Sequence, residues 1–134
     1  ENTENRSVKL YNAAKAIAAQ ETALTDLMIN GEDNIKGLKD LSGVEIIGGL
    51  KNPYRSGLVS FRINGTSSHL LVDFLNDKGI RTHVRKADHY SGNILDPLGW
   101  EDCVRVSVCH YNSSEEIKSL LLALNEFQLD AVTN

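Results

Sequence analysis

The chain has 134 residues, 41% hydrophobic and 24% charged, with ten glycines and two prolines; this balance excludes disordered and collagen-like classes and fits one globular unit around one core. A formal net charge of -4 opposes nucleic-acid binding, which needs clustered Lys and Arg, and the one basic cluster, Arg81, Arg85 and Lys86, is short. No apolar run is long enough to cross a bilayer, and the polar start from Glu1 to Ser7 lacks the segments of a signal peptide, so the expectation is a cytoplasmic protein with no membrane or nucleic-acid partner.

From Leu10 the apolar residues Leu10, Ala14, Ile17, Leu24 and Met28 fall on one helical stripe, broken once at Glu21, and predict a long amphipathic helix with an Ala-rich centre. Gly31 and Gly37 punctuate the segment after this helix. Val44 to Ile47, bounded by Gly43 and the pair Gly48 and Gly49, reads as a short strand, and Asn52, Pro53, Ser56 and Gly57 as a loop. Leu58 to Asn64 alternates Val59, Phe61 and Ile63 with Ser60, Arg62 and Asn64, the period of a strand with one buried face. Thr66 or Ser67 can cap a helix carrying Leu70, Leu71, Phe74 and Leu75, which Gly79 stops.

Residues 80–84 read as a returning strand, and a polar loop from about Lys86 to Trp100 separates it from the clearest strand, Cys103 to Cys109. There Val104, Val106 and Val108 take one face and Cys103, Arg105, Ser107 and Cys109 the other. Six residues apart in one strand, the two cysteines would lie about 20 Å from each other, so both are expected as thiols. Ser113 with Glu116 forms a capping box ahead of the stripe Ile117, Leu120, Leu121 and Leu124. The order helix, strand, strand, helix, strand, strand, helix gives an α+β fold with helices packed on a mostly antiparallel sheet. Residues 1–42 are expected to form a long helix and connection, and 43–134 a small α+β domain, the two making one structural unit.

Three blocks in this order, LVSFRING, LVDFLNDKGIRTHVR and CVRVSVCHYNSSEEIKSLLLAL, resemble the C-terminal domain of the class V aminotransferases, a family that includes cysteine desulfurases and selenocysteine lyases. The likeness runs from the first helix to about Phe127. It implies the small domain of a fold-type I enzyme dependent on pyridoxal phosphate (PLP), covering an active site built mainly by a larger N-terminal domain in a homodimeric parent. The family's Schiff-base lysine lies in a Ser-x-His-Lys type segment, and no such tetrapeptide occurs here. The chain alone is therefore expected to bind no PLP and to be inert, with no catalytic residue of its own.

By this resemblance Arg105, in its Arg-x-Ser setting, matches the arginine that binds the substrate's α-carboxylate; read from alternation alone it is a surface arginine on a half-buried strand. His83 occupies the place of a second cationic residue, and Arg85 alternates onto the same face. Desulfurases carry a nucleophilic Cys on the loop after that strand, whereas here the loop reads KADHYSGNIL and has none. Tyr90 and Ser91 within it either contact the amino-acid substrate as part of a lid or form an exposed turn. Cys103 and Cys109 read as small apolar residues, with Cys109 beside His110 the one candidate for a reactive thiol. Asp88, His89, Tyr90 and Ser91 are too close in sequence to converge on one reacting atom, and no metal-ligand spacing is present. Against the enzyme-domain reading stands a free-standing α+β ligand-binding or regulatory module of the same architecture.

Overall fold

A computed structural model describes residues 5–133; of the polar start, residues 1–4 lie outside the described residues. The architecture is α+β. Helix α1 (Arg6–Asn30) is followed by a hairpin of β1 (Gly31–Glu32) and β2 (Ile35–Lys36), then by strands β3 (Val44–Ile46) and β4 (Leu58–Ile63), helix α2 (Ser68–Asp77) and strand β5 (His83–Lys86). The short helix α3 (Gly92–Leu95), strand β6 (Asp102–Ser107) and helix α4 (Ser114–Thr133) complete it. Strands β3, β4, β6 and β5 lie side by side in that order, and every neighbouring pair is antiparallel.

One face of this sheet makes the main core. Val59, Phe61 and Ile63 from β4, and Val104 and Val106 from β6, are buried against Leu71, Val72 and Leu75 of α2 and Ile117, Leu120, Leu121 and Leu124 of α4. Alternation puts those strand residues on one side, and the 3.6-residue period aligns the helix residues to meet them. Leu24, Met28 and Ile29 of α1 join the same core, whereas Leu10 is 61% exposed and Ile17 37%. The expected stripe of α1 is thus buried only in its last turns. Its earlier turns extend past the sheet, held helical by the Ala-rich sequence.

Local signals explain where elements begin and end. Asn5 caps α1 by accepting from the Ser7 amide at 3.1 Å. Ser67 takes the N-cap position of α2 without a side-chain bond. Gly79, at φ 77°, ends α2: its amide donates to the Asn76 carbonyl and the Ile80 amide to the Leu75 carbonyl, both at 2.8 Å, the paired bonds of a Schellman motif. At the start of α4, Ser113 Oγ accepts from the Glu116 amide at 3.3 Å while Glu116 Oε2 accepts from the Ser113 amide at 2.8 Å, so the capping box forms as expected.

Four local expectations are corrected. The strand placed at 80–84 is His83–Lys86, because the turn off α2 uses Gly79 and Ile80 and pairing starts only alongside β6. In α2 the buried set is Leu71, Val72 and Leu75, and Leu70 faces solvent at 64% exposure. Strand β6 stops at Ser107; the Val108 amide turns to the Gly57 carbonyl and the Cys109 amide to Asn112 Oδ1, so the two cysteines do not share a strand. Any side chain on Gly57 would strike the Val108 carbonyl oxygen, which is why a glycine sits at that crossing. The segment expected as a plain loop, 86–100, carries α3 and a 3-10 turn, Asp96–Leu98.

Candidate functional site

The second face of the sheet divides into a covered end and an open end. At the covered end, Gly99 at φ 67° reverses the chain after Pro97 and brings Trp100 onto the sheet, where it packs with Leu95, Cys103 and Ile47. The Arg62 guanidinium lies 4.3 Å from the Trp100 ring centroid and pairs with Glu45 at 3.1 Å directly across β3 and β4. Arg62 is therefore satisfied on both sides.

At the open end, Ser60 of β4, Arg105 of β6 and His83 of β5 form one row across three strands, with Arg85 opposite Cys103 in the adjacent row. Directly paired residues share a face, so register alone assembles these groups. A cavity of about 490 Å³ opens here between the sheet and α3. Arg105, Arg85 and Arg55 bring charge to it, Ile47, Leu58, Ile94 and Leu95 make an apolar wall, and Asp88, Tyr90 and Ser91 stand along the segment that leads into α3. The structure thus brings together Arg105, Arg85, Tyr90 and Ser91. His83 is beside Arg105 in the sheet but is exposed and does not line the cavity.

The three arginines differ in what satisfies them. Arg55 donates to the carbonyls of Gly49 at 2.6 Å, Ile47 at 3.2 Å and Leu58 at 3.4 Å, so it ties the 47–58 loop together. Arg85 lies near the Asp88 carboxylate, which helps to keep Asp88 ionised. Arg105 keeps a buried Nε with no hydrogen-bond partner. Burial first, and then the like charge of Arg85, push the pKa of the Arg105 guanidinium below its usual value, while the neighbouring Cys103 acts weakly the other way. A partly desolvated cation with an unused donor is the state that an incoming anion relieves.

Asp88 shapes the rim. Its Oδ1 accepts from the amides of Tyr90 and Ser91, both at 2.9 Å, and these two bonds are the main reason its carboxyl sits below the usual range. The Asp88 carbonyl accepts from the Gly92 amide at 2.8 Å, leading the chain into α3. Tyr90, 83% exposed, meets the edge of His89 in a T-shaped contact. Cys103 lines the cavity floor but is buried, and desolvation raises its thiol's pKa above the ordinary value, which disfavours a thiolate. Cys109 is half-buried and away from this cavity.

Arg55 and the apolar wall were not among the residues singled out from sequence. Arg55 sits in an irregular loop whose path only the tertiary contacts define. Ser60 was legible as the outward residue of an alternating strand, and its pairing with Arg105 follows once β4 and β6 are neighbours.

This α+β arrangement is the fold shared with PLP-dependent transferases. The model of the aminotransferase class-V family matches residues 9–120, and the chain belongs to that family. A probable cysteine desulfurase of Pseudomonas putida is 31% identical over 84% of this chain and 25% of its own length, and a cysteine desulfurase of Synechococcus elongatus is 32% identical over 85% and 17%. Among solved structures, the apo cysteine desulfurase of Thermococcus onnurineus superposes with a TM-score of 0.69 at 28% identity, over 84% of this chain and 26% of that one. A C-DES mutant with glycine covalently linked to its PLP cofactor superposes at 0.53 with 25% identity, over 82% and 22%. The chain spans about a quarter or less of the length of these relatives. No helix among the described residues is long and apolar enough to cross a membrane.

Proposed function

We propose that this chain is the C-terminal small domain of a PLP-dependent class V enzyme acting on an amino acid, and that it contributes carboxylate recognition and part of the active-site closure. The observation that carries the reading is the buried, unpartnered Nε of Arg105 in a cavity that sets cationic groups against an apolar wall. A planar guanidinium meets a carboxylate through two parallel hydrogen bonds, and a charge-assisted pair of this kind contributes about 1.5–3 kcal/mol in all. Arg85 adds positive potential, and Tyr90 and Ser91 on the rim contact the remainder of the substrate. His83 flanks Arg105 in the sheet without entering the cavity.

PLP, when bound, supplies the electron-withdrawing system on which bonds of an amino acid are broken. The described cavity lining includes no lysine, so these residues do not fit a covalent hold on the cofactor. They fit its amino-acid partner through the carboxylate. In this reading the covalent anchor and the choice of bond belong to a larger N-terminal domain, residues 1–42 lead from that domain, and this chain alone neither holds PLP covalently nor turns over substrate.

The reading extends to what the parent does not do. Although the relatives include cysteine desulfurases, the KADHYSGNIL segment offers no thiol on the rim, and the one thiol on the cavity floor, Cys103, is buried with a raised pKa. A persulfide carried on the rim is therefore not part of the proposed reaction. The test is Arg105→Ala in the parent enzyme against a panel of amino acids. A loss of about tenfold to a hundredfold in kcat/KM is expected from the free energy above, with little rescue by Arg105→Lys, whose ammonium lacks the fork. Equal activity of Arg105→Ala and wild type would remove Arg105 from the site.

A further inference from the structure

The cavity's charges are unevenly matched. Of the three arginines, Arg55 is engaged by three carbonyl oxygens, and Arg85 lies within the influence of the Asp88 carboxylate, leaving Arg105 as the cation with an unused buried donor. Asp88 is exposed, yet its carboxylate does not swing freely: two amides of its own turn hold Oδ1 on the cavity rim. A fixed anion there does two things. It offsets Arg85, and it repels a second negative charge on any ligand already held at Arg105.

Resting on the reading of this cavity as a carboxylate site, we infer that Asp88 is a specificity-determining residue that restricts the site to substrates with one carboxylate and an uncharged remainder. The apolar wall of Ile47, Leu58, Ile94 and Leu95 suits such a remainder. A ligand with a second anionic group would place that group between Arg85 and Asp88, where attraction and repulsion oppose each other. Without the Asp88 charge, Arg85 becomes a second anion-binding group and the site accepts dicarboxylates. Asp88 stays ionised down to pH values below the ordinary aspartate range, so the restriction holds across neutral pH.

Two substitutions separate charge from geometry. Asp88→Asn removes the charge while its amide oxygen can still accept from Tyr90 and Ser91, and Asp88→Ala removes both. Propionate and succinate are titrated into the 134-residue chain, with binding followed through the arginine Nε–H and the Tyr90 and Ser91 amide resonances. In wild type, propionate is expected to perturb Arg105 and succinate to bind no better than its two equivalent ends allow. Asp88→Asn should raise the succinate-to-propionate affinity ratio about threefold to tenfold, the size expected for removing one nearby charge at the protein surface, with the Tyr90 and Ser91 amides little changed. Asp88→Ala should raise the ratio similarly while shifting those amides. An unchanged ratio in Asp88→Asn overturns the inference, as does a rise seen only in Asp88→Ala, which would assign the effect to the turn. Arg105→Ala should abolish the response to both ligands. If it does not, or if wild type responds to neither, the carboxylate reading itself fails; if it does and the ratio is unmoved by Asp88→Asn, only the role of Asp88 fails.

Discussion

Val104 and Arg105 are consecutive in β6 and occupy opposite environments. Val104 is fully buried in the main core between the sheet and its helices, while Arg105 lies on the second face with a buried donor and no partner. The same contrast holds on β4, where Phe61 is fully buried and Ser60 faces the cavity across from Arg105. One face carries most of the apolar burial, and the open end of the other keeps the Arg105 donor partly desolvated and uncompensated. Stability and recognition are thus separated here by a single residue step, the pleat of a strand.

The contrast is tested most severely on the core side. Phe61→Ala should destabilise the chain by about 3–5 kcal/mol through lost burial and a cavity, read from the denaturant midpoint at unchanged slope. Arg105→Ala should cost the chain little stability, since it removes a partly desolvated, unpartnered cation rather than a packed side chain, while abolishing the propionate response. A large stability loss from Arg105→Ala would assign the residue to the scaffold and erase the distinction between the faces.

An effect smaller than that of Phe61→Ala is expected at a site common to neither face. Ser113→Ala should cost about 1 kcal/mol by removing the cap of α4. The matching pH behaviour runs through Glu116, whose carboxyl is held below its ordinary value of 4.5 chiefly by the Ser113 amide, with the Asn112 side chain next. Because the folded value is depressed, its contribution is present above pH 4.5 and is lost as pH falls through the lower folded value. Glu116→Gln should flatten that part of the acid unfolding curve, and an identical curve for wild type and Glu116→Gln would show that the pair contributes nothing to α4.

The smallest expected effect concerns the thiols. Cys103, buried with a raised pKa, should react with iodoacetamide more slowly than half-buried Cys109 in the native chain, and the two should converge in denaturant. Faster native labelling of Cys103, located by mass spectrometry, would show the cavity floor to be open to solvent and would revive a thiol role there.

Much of this molecule is written in local pattern. Alternation at Val59, Phe61 and Ile63 and at Val104 and Val106 marked the core face, the Ser113 and Glu116 spacing marked the start of α4, and Gly79 marked the end of α2, because each depends on bonds or burial within a few residues. Arg105 and Arg85 were legible as candidates within the sequence blocks, and Tyr90 and Ser91 through the loop that follows Arg85. What the sequence by itself determined, then, was the three long helices and the main strands, the inward faces of β4, β6 and α4, and the family. The tertiary structure alone decided that α3 and Trp100 cover one end of the second face, that Arg55 is bound up in backbone carbonyls, that His83 stands outside the cavity, and that Asp88 lines the same cavity as Arg105 and Arg85. Those outcomes depend on which strands become neighbours, on strand register and on the path of residues 47–58 and 86–100. Strand pairing joins residues distant in the chain, and the bonds that shape 47–58 and 86–100 fall in aperiodic segments, so no local periodicity encodes them.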